Sequence, residues 1–417
     1  MMSPSIENLE SSKTFDAERV RLDFPILDQQ VYGKPLVYLD SGASAQKPLC
    51  VIDAIRYYYL HDHANVHRGV HALSERATRD YEGAREICRQ FLNAASLREV
   101  IFTKGSTEAI NLVASSYGEG LEAGDEILVS EMQHHANLVP WQLLAERRGL
   151  VVKKIPIDDA GELDLDAYQA LLGDKVRLVA ITHVSNALGT INPVQELTRL
   201  AHQAGAVVVV DGAQAVPHQQ VDVQQLDCDF YVFSGHKVYG PTGIGVLYGK
   251  EAHLQSMPPY QSGGEMIKYV SFERTEFNDL PHKFEAGTPN VADAYGLGVA
   301  LNYVQDLGLD AIAAHEADLL QYATQCSQEI KTMRLIGTAR HKAGILSFVL
   351  DGIHPHDIGT IIDHEGVAVR TGHHCAMPVM QRFQLPATVR ASFGMYNTRS
   401  DIDRLMLGIT KVIEDFS

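Results

Sequence analysis

The chain has 417 residues, 45% hydrophobic and 21% charged, with a formal net charge of −17. That balance fits a globular protein too long for one core, so two domains are expected. The acidity excludes a nucleic-acid partner, which needs basic patches. From the N-terminus, "MMSPSIENLESSKTFDAERVRLDF" has early acids and no apolar core. Neither a secretory signal nor a transit peptide is expected, and the expected location is cytoplasmic. Five cysteines stand singly, with no CxxC pair, which argues against structural disulfides and cysteine-rich metal sites.

Strand candidates follow at 99–103, 126–130, 150–155, 177–182, 206–210, 229–233 and 243–249. The longest obvious apolar run is "AVVVV" at 206–210, far short of the ~20 residues of a membrane span. Between strands lie helix-like stretches such as "NPVQELTRLAHQAG", where Asn192 can cap, Pro193 suits the first turn and Gly205 the exit. The alternation predicts an α/β fold around a mostly parallel sheet with helices on both faces. After "GTPN" at 287–290 the rhythm changes to long helices over about 291–335, then to strands such as "GILSFVL" at 344–350. The expected division is an N-terminal segment over 1–35, a large domain over 36–300 and a smaller α+β domain over 301–417, with the N-terminal segment against the small domain.

In open parallel sheets ligands bind beyond the carboxyl ends of the strands. Five polar clusters fall there: "KGSTEAIN", "EMQHHAN", "HVSNALG", "DGAQ" and "SGHK". They bring Ser106, Thr107, His134, Asn186, Asp211, Gln214, Ser234, His236 and Lys237 to one rim. "GST" at 105–107 offers free backbone N–H groups and two hydroxyls at a helix start, an anion seat or an ordinary N-cap by Ser106. Neither GxGxxG nor a P-loop is present. Lys237, desolvated near a strand end, would become a nucleophile toward carbonyls. A phosphate seat, an acid able to hold a pyridinium and an imine-forming lysine together are what pyridoxal phosphate needs.

The stretches "SGHKVYGPTGIGVLYG", "DGAQAVPH", "HVSNALGTINPV", "FEAGTPN" and "RTGHHCAMP" resemble the fold-type I cysteine desulfurases of the class V aminotransferase superfamily. They look most like the SUF-type branch with a short cysteine loop. The resemblance runs from "YLDSGASAQKP" to "RASFGMYNT". It implies pyridoxal 5'-phosphate on Lys237, Asp211 at the pyridinium nitrogen, Gln214 at the phenolic oxygen and His134 stacked on the ring. Ser106, Thr107, Ser234 and His236 would hold the phosphate, and Thr288 would reach it from the other subunit of a homodimer. Arg390 would grip the substrate carboxylate, with Asn186 nearby. Two departures are visible: Ser262 opens "SGGEMI" where the family often has a third glycine, and Ser106 stands where it commonly has threonine.

Cys375 in "RTGHHCAMP" admits three readings: a buried small hydrophobe, a metal ligand or a nucleophile. Metal binding by His373, His374 and Cys375 conflicts with an extended chain, whose successive side chains diverge, so no metal is expected. Arg370, two imidazoles and Gly372 favour an exposed thiolate, and the resemblance makes Cys375 the sulfur acceptor. Its implied reaction takes L-cysteine to alanine, leaves a persulfide on Cys375, and passes the sulfur to a SUF-type acceptor protein for iron–sulfur cluster assembly. Selenocysteine lyase activity on the same scaffold, an aminotransferase, and a non-catalytic sulfur-transfer scaffold are the alternatives.

Overall fold

The computed structural model describes residues 15–417; the first fourteen residues of the expected N-terminal segment lie outside that range. All seven predicted strands form one sheet. They are β1 (Val100–Thr103), β2 (Glu126–Ser130), β3 (Val151–Ile155), β4 (Val176–Thr182), β5 (Val207–Asp211), β6 (Phe230–Ser234) and β7 (Gly245–Gly249), in the order β1-β7-β6-β5-β4-β2-β3. β2 to β6 pair in parallel, whereas β7 is antiparallel to both β1 and β6. Six strands therefore point one way, and their carboxyl ends share one edge.

Two apolar layers hold this sheet, and β5 shows why its valines are consecutive. Val208 and Val210 enter one buried cluster while Val209 enters the other, the period-two alternation of a strand covered on both faces. On the first face the helices Ala72–Phe91 and Val291–Leu307 pack together, with Gly298 close to Ala84. On the second lie the helices Ser106–Ser116 and Val139–Arg148, which contribute Val113 and Trp141.

A second, antiparallel sheet comprises β8 (Met333–Ile336), β9 (Ile345–Leu350), β10 (Arg370–Gly372) and β11 (Thr388–Ser392), in the order β8-β9-β11-β10. A separate buried cluster joins it to the helices Leu309–Gln328, Pro355–His364 and Arg399–Phe416. Two local expectations need correction. The helical stretch expected to about residue 335 stops at Gln328, because residues 333–336 pair with β9 as an edge strand. Asn192 does not cap the helix Val194–Gln203: its buried amide donates to the Thr182 carbonyl at 2.8 Å, so a tertiary bond overrides the local one.

Of the described N-terminal residues, Arg21 donates to the carbonyls of Leu36 and Tyr396, and Phe24 packs edge-on against Tyr239, Tyr303 and Tyr396. Among the described residues no helix is long and apolar enough to cross a membrane.

One charged network is buried in the large sheet's flank. Arg85, fully buried, meets Glu285 through two bonds of 2.6 and 2.9 Å and also donates to the Val100 carbonyl. Glu285 further accepts from the Phe102 amide and the Tyr81 hydroxyl. It thereby fixes the "FEAGTPN" segment to β1 and to the helix Ala72–Phe91. Removing one partner of such a pair strands the other charge in the interior. Glu285→Ala is expected to cost about 3–5 kcal/mol in urea unfolding. The double variant Arg85→Met/Glu285→Leu should recover most of that loss, and an unchanged midpoint for Glu285→Ala would refute the arrangement.

Candidate active site

The rim at the carboxyl ends of the parallel strands opens into a cavity of about 170 Å³. On one wall the chain leaves β1 through Gly105, whose φ of 149° and nearness to Ser234 (an added Cβ would sit 3.1 Å from its Oγ) demand glycine. Ser106 then starts the helix Ser106–Ser116. Its backbone N–H donates to Ser234 Oγ at 2.9 Å, and the two hydroxyls lie 2.9 Å apart, both buried. Thr107 lines the same wall with its side chain exposed. His236 borders it too, and burial, then the nearby Lys237 and Lys47, depress its pKa to about 4.

The floor is made by β5 and β6. Asp211 ends β5, is 6% exposed, and accepts the Ala213 amide at 3.0 Å. Burial raises its pKa, and the positive charge of Lys237 works the other way. Lys237 is enclosed by protein yet keeps some exposure because it faces the cavity; burial lowers its pKa and Asp211 opposes the shift. Gln214, on the turn after β5, donates from Nε2 to the Gly42 carbonyl, and its buried Oε1 has no partner.

His134 stands above these groups. Its Nδ1 accepts the Ala136 N–H at 3.0 Å, so the neutral ring carries its proton on Nε2. Burial, with Lys237 next, depresses its pKa to about 3.

The remaining wall comes from the second sheet. Arg390 on β11 is 2% exposed; Nη1 donates to the Asn186 carbonyl at 2.8 Å and Nη2 to Asp40 Oδ1 at 2.9 Å, while Nε has no partner. Burial opposes both charges, raising the pKa of Asp40 and lowering that of Arg390. Their direct contact opposes both shifts. Arg370 on β10 is the register partner of Arg390, and both line the cavity. Two cations directly opposite across an antiparallel pair repel, an arrangement an anion between them would relieve.

Cys375 reaches the cavity from the turn after β10, half-buried. His374 and Cys375 both take left-handed φ values, 52° and 55°. The turn is pinned: Asn186 Nδ2 donates to the His374 carbonyl at 2.6 Å, the His135 amide to the Cys375 carbonyl at 2.7 Å, and the Met377 amide to His135 Nε2 at 3.1 Å. His374 turns away from the thiol, with Nε2 at 2.8 Å from Thr388 Oγ1. The extended course assumed for residues 373–375 is therefore wrong, and His373 and Cys375 fall on the same side of the turn.

Eleven of the expected site residues line this one cavity, and Gln214 sits beside it. Thr288 does not: it is exposed and lines a neighbouring cavity near Lys104 and Glu108. Sequence reasoning missed Asp40, Gly42 and His135, and it counted His374 beside the thiol, whereas the structure turns its ring away. "YLDSGASAQKP" holds the first two, and only their return to Arg390 and Gln214 reveals a role.

The aminotransferase class-V family model matches residues 37–405. The chain is 54% identical over 399 residues to the cysteine desulfurase of Synechococcus elongatus, covering 95% of this chain and 64% of that protein. It is 55% identical over 400 residues to the cysteine desulfurase of Dickeya dadantii, covering 95% and 97% respectively. Among solved structures, the cysteine desulfurase CsdA (S-sulfonic acid) from Escherichia coli matches with TM-score 0.90 and 40% identity, over 96% of this chain and 99% of that one. The apo cysteine desulfurase from Thermococcus onnurineus matches with TM-score 0.91 and 40% identity, over 95% and 98%. With its fold-type I sheet and a family match over residues 37–405, the chain belongs to the class-V aminotransferase family.

Proposed function

We propose that the chain is a cysteine desulfurase that moves the sulfur of L-cysteine onto Cys375 and then to an acceptor protein. The observation that carries this reading is the convergence of a buried amine, a half-buried thiol and two in-register arginines on one cavity.

The family uses pyridoxal 5'-phosphate, and the residues fit it. Lys237 offers an amine, Asp211 a buried carboxylate, and Gln214 a buried carbonyl oxygen without a partner. The proposed roles are Lys237 as the attachment point, Asp211 at the ring nitrogen, Gln214 at the phenolic oxygen and His134 against the ring face. Ser106, Thr107, Ser234 and His236 would hold the phosphate, and Thr288 would reach the same phosphate across a homodimer interface. When bound, the cofactor withdraws electrons from the substrate's α-carbon, so that its C–H and then its Cβ–S bond can break.

The chain's own groups do the rest. Arg390 has five N–H donors of which two are engaged, and with Arg370 opposite it receives the substrate carboxylate. Asn186 braces Arg390 and the cysteine turn at once. Lys237, kept below its usual pKa by burial, takes the α-proton. The Cys375 sulfur bonds to the substrate sulfur as the Cβ–S bond breaks, and alanine leaves after protonation.

Only residues 376–389 separate Cys375 from Arg390, and Met377–Arg382 are helical. The thiol is too tightly tethered to travel, so the acceptor must come to it. That supports the SUF-type assignment; the proposal further takes iron–sulfur cluster assembly as the sulfur's destination, a cytoplasmic location, and a cysteine-bearing domain over 301–417.

Two outcomes test this reading. His134 should stay neutral wherever the enzyme works: its ring resonances, in histidine-labelled protein, should not shift from about pH 8 to about pH 5 while exposed histidines titrate. A midpoint near the ordinary histidine value would contradict its burial beside Lys237. Cys375→Ala should lower alanine release from L-cysteine about a thousandfold, while borohydride still fixes the cofactor on the Lys237 peptide. Retained full activity would remove Cys375 from the reaction, and comparison with selenocysteine decides the substrate.

A further inference from the structure

A ring nitrogen of His135, a ring nitrogen of His373 and the sulfur of Cys375 all lie within 4.8 Å of one another. We infer that these three side chains form a site for a soft, thiophilic divalent cation such as Zn²⁺, with its fourth coordination position open to the active-site cavity. Two imidazoles and one thiolate are a zinc donor set, and three protein ligands with one open position is the arrangement of an exchangeable rather than a structural ion.

The ligands come from two turns already fastened together. The His135 amide donates to the Cys375 carbonyl at 2.7 Å, the Met377 amide to His135 Nε2 at 3.1 Å, and the Cys375 amide to His373 Nδ1 at 3.1 Å. The spacing is wider than in a loaded tetrahedral site, so small side-chain rotations must close it. Each ring has one nitrogen occupied by a backbone N–H, and in the neutral ring the other nitrogen carries the proton. Coordination therefore costs each ring one neutral hydrogen bond, about an order of magnitude less than a thiolate–imidazole zinc site supplies.

The surroundings also set which ion is admitted. Arg370, Arg390 and Lys237 line the same cavity and repel cations. Hard ions held by electrostatics and oxygen donors, such as Mg²⁺ and Ca²⁺, are shut out. A soft ion whose charge is partly cancelled by the thiolate is not. Under the function proposed above, such an ion occupies the sulfur that the reaction needs, so it acts as a reversible brake relieved by a chelator. The site itself does not depend on that reading.

The test uses the full-length, cofactor-loaded protein and Zn²⁺ alone. Calorimetric titration should show one ion per chain at micromolar affinity or tighter, undisturbed by excess Mg²⁺. Bound Zn²⁺ should slow alkylation of the Cys375 peptide in wild-type protein while leaving exposed Cys50 reactive. Cys375→Ala should abolish uptake, and His373→Ala should weaken it at least about tenfold. Absent uptake, uptake unchanged in Cys375→Ala, or uptake lost only in His282→Ala, which disrupts the separate His67, Glu82 and His282 group, overturns the inference. A Cys375→Ala enzyme that loses the ion yet still desulfurates cysteine would uphold the metal site and sink the proposed function.

Discussion

The site depends on two opposite charges placed inside the protein at the ends of adjacent strands. Asp211 closes β5, and Lys237 lies just beyond β6. Burial pushes the acid's pKa up and the amine's down despite their mutual attraction. Desolvation thus outweighs the pair's own Coulomb gain, the usual result for charges taken out of water. Such a pair persists only because the sheet around it is secured elsewhere, by two apolar layers and by the Arg85–Glu285 network. A ligand that completes the missing contacts would then stabilise the fold as well as bind.

The cysteine turn follows the same logic on a smaller scale. Consecutive left-handed residues without glycine, His374 and Cys375, cost about 1–3 kcal/mol each. Bonds from Asn186, His135 and Thr388 hold them there. The result is a thiol whose position is set by three separate segments of the chain. His374 shows the division of labour: its backbone is strained to aim its neighbour, while its own ring is buried away from the cavity.

Much of this was legible in the sequence wherever the signal is local. "AVVVV" reads as a doubly covered strand, so the residue that follows, Asp211, must sit at its carboxyl end. The same inference placed Ser106, His134, Asn186 and Lys237 on one edge, because parallel strands share their exits. Local signals failed where distant segments decide. Asn192 looks like a helix cap until the Thr182 carbonyl claims it. Asp40 meets Arg390 across 350 residues, and no spacing rule spans that gap. Left-handed backbone at His374 and Cys375 is fixed by bonds from distant segments, so the extended reading of 373–375 missed it although Gly372 already allowed a turn. The reversal of β7 was hidden for a related reason. Gly245 is needed because an added Cβ would lie 2.5 Å from Gly105 Cα, a contact visible only once both turns are in place.

The seam between the two sheets determines what the cavity can select. β10 carries Arg370 and leads into Cys375; β11 carries Arg390; the two strands are hydrogen-bonded in register. The arginines and the thiol are therefore mounted on one pair of adjoining strands, with little freedom to move apart. The amine and its acid belong to the other sheet. In the proposed reaction a substrate would span both, with its carboxylate at the arginines, its α-carbon toward Lys237 and its sulfur toward Cys375. Under the proposed function, the fixed position of the thiol on the pinned turn would favour a substrate short enough to keep its sulfur beside Cys375.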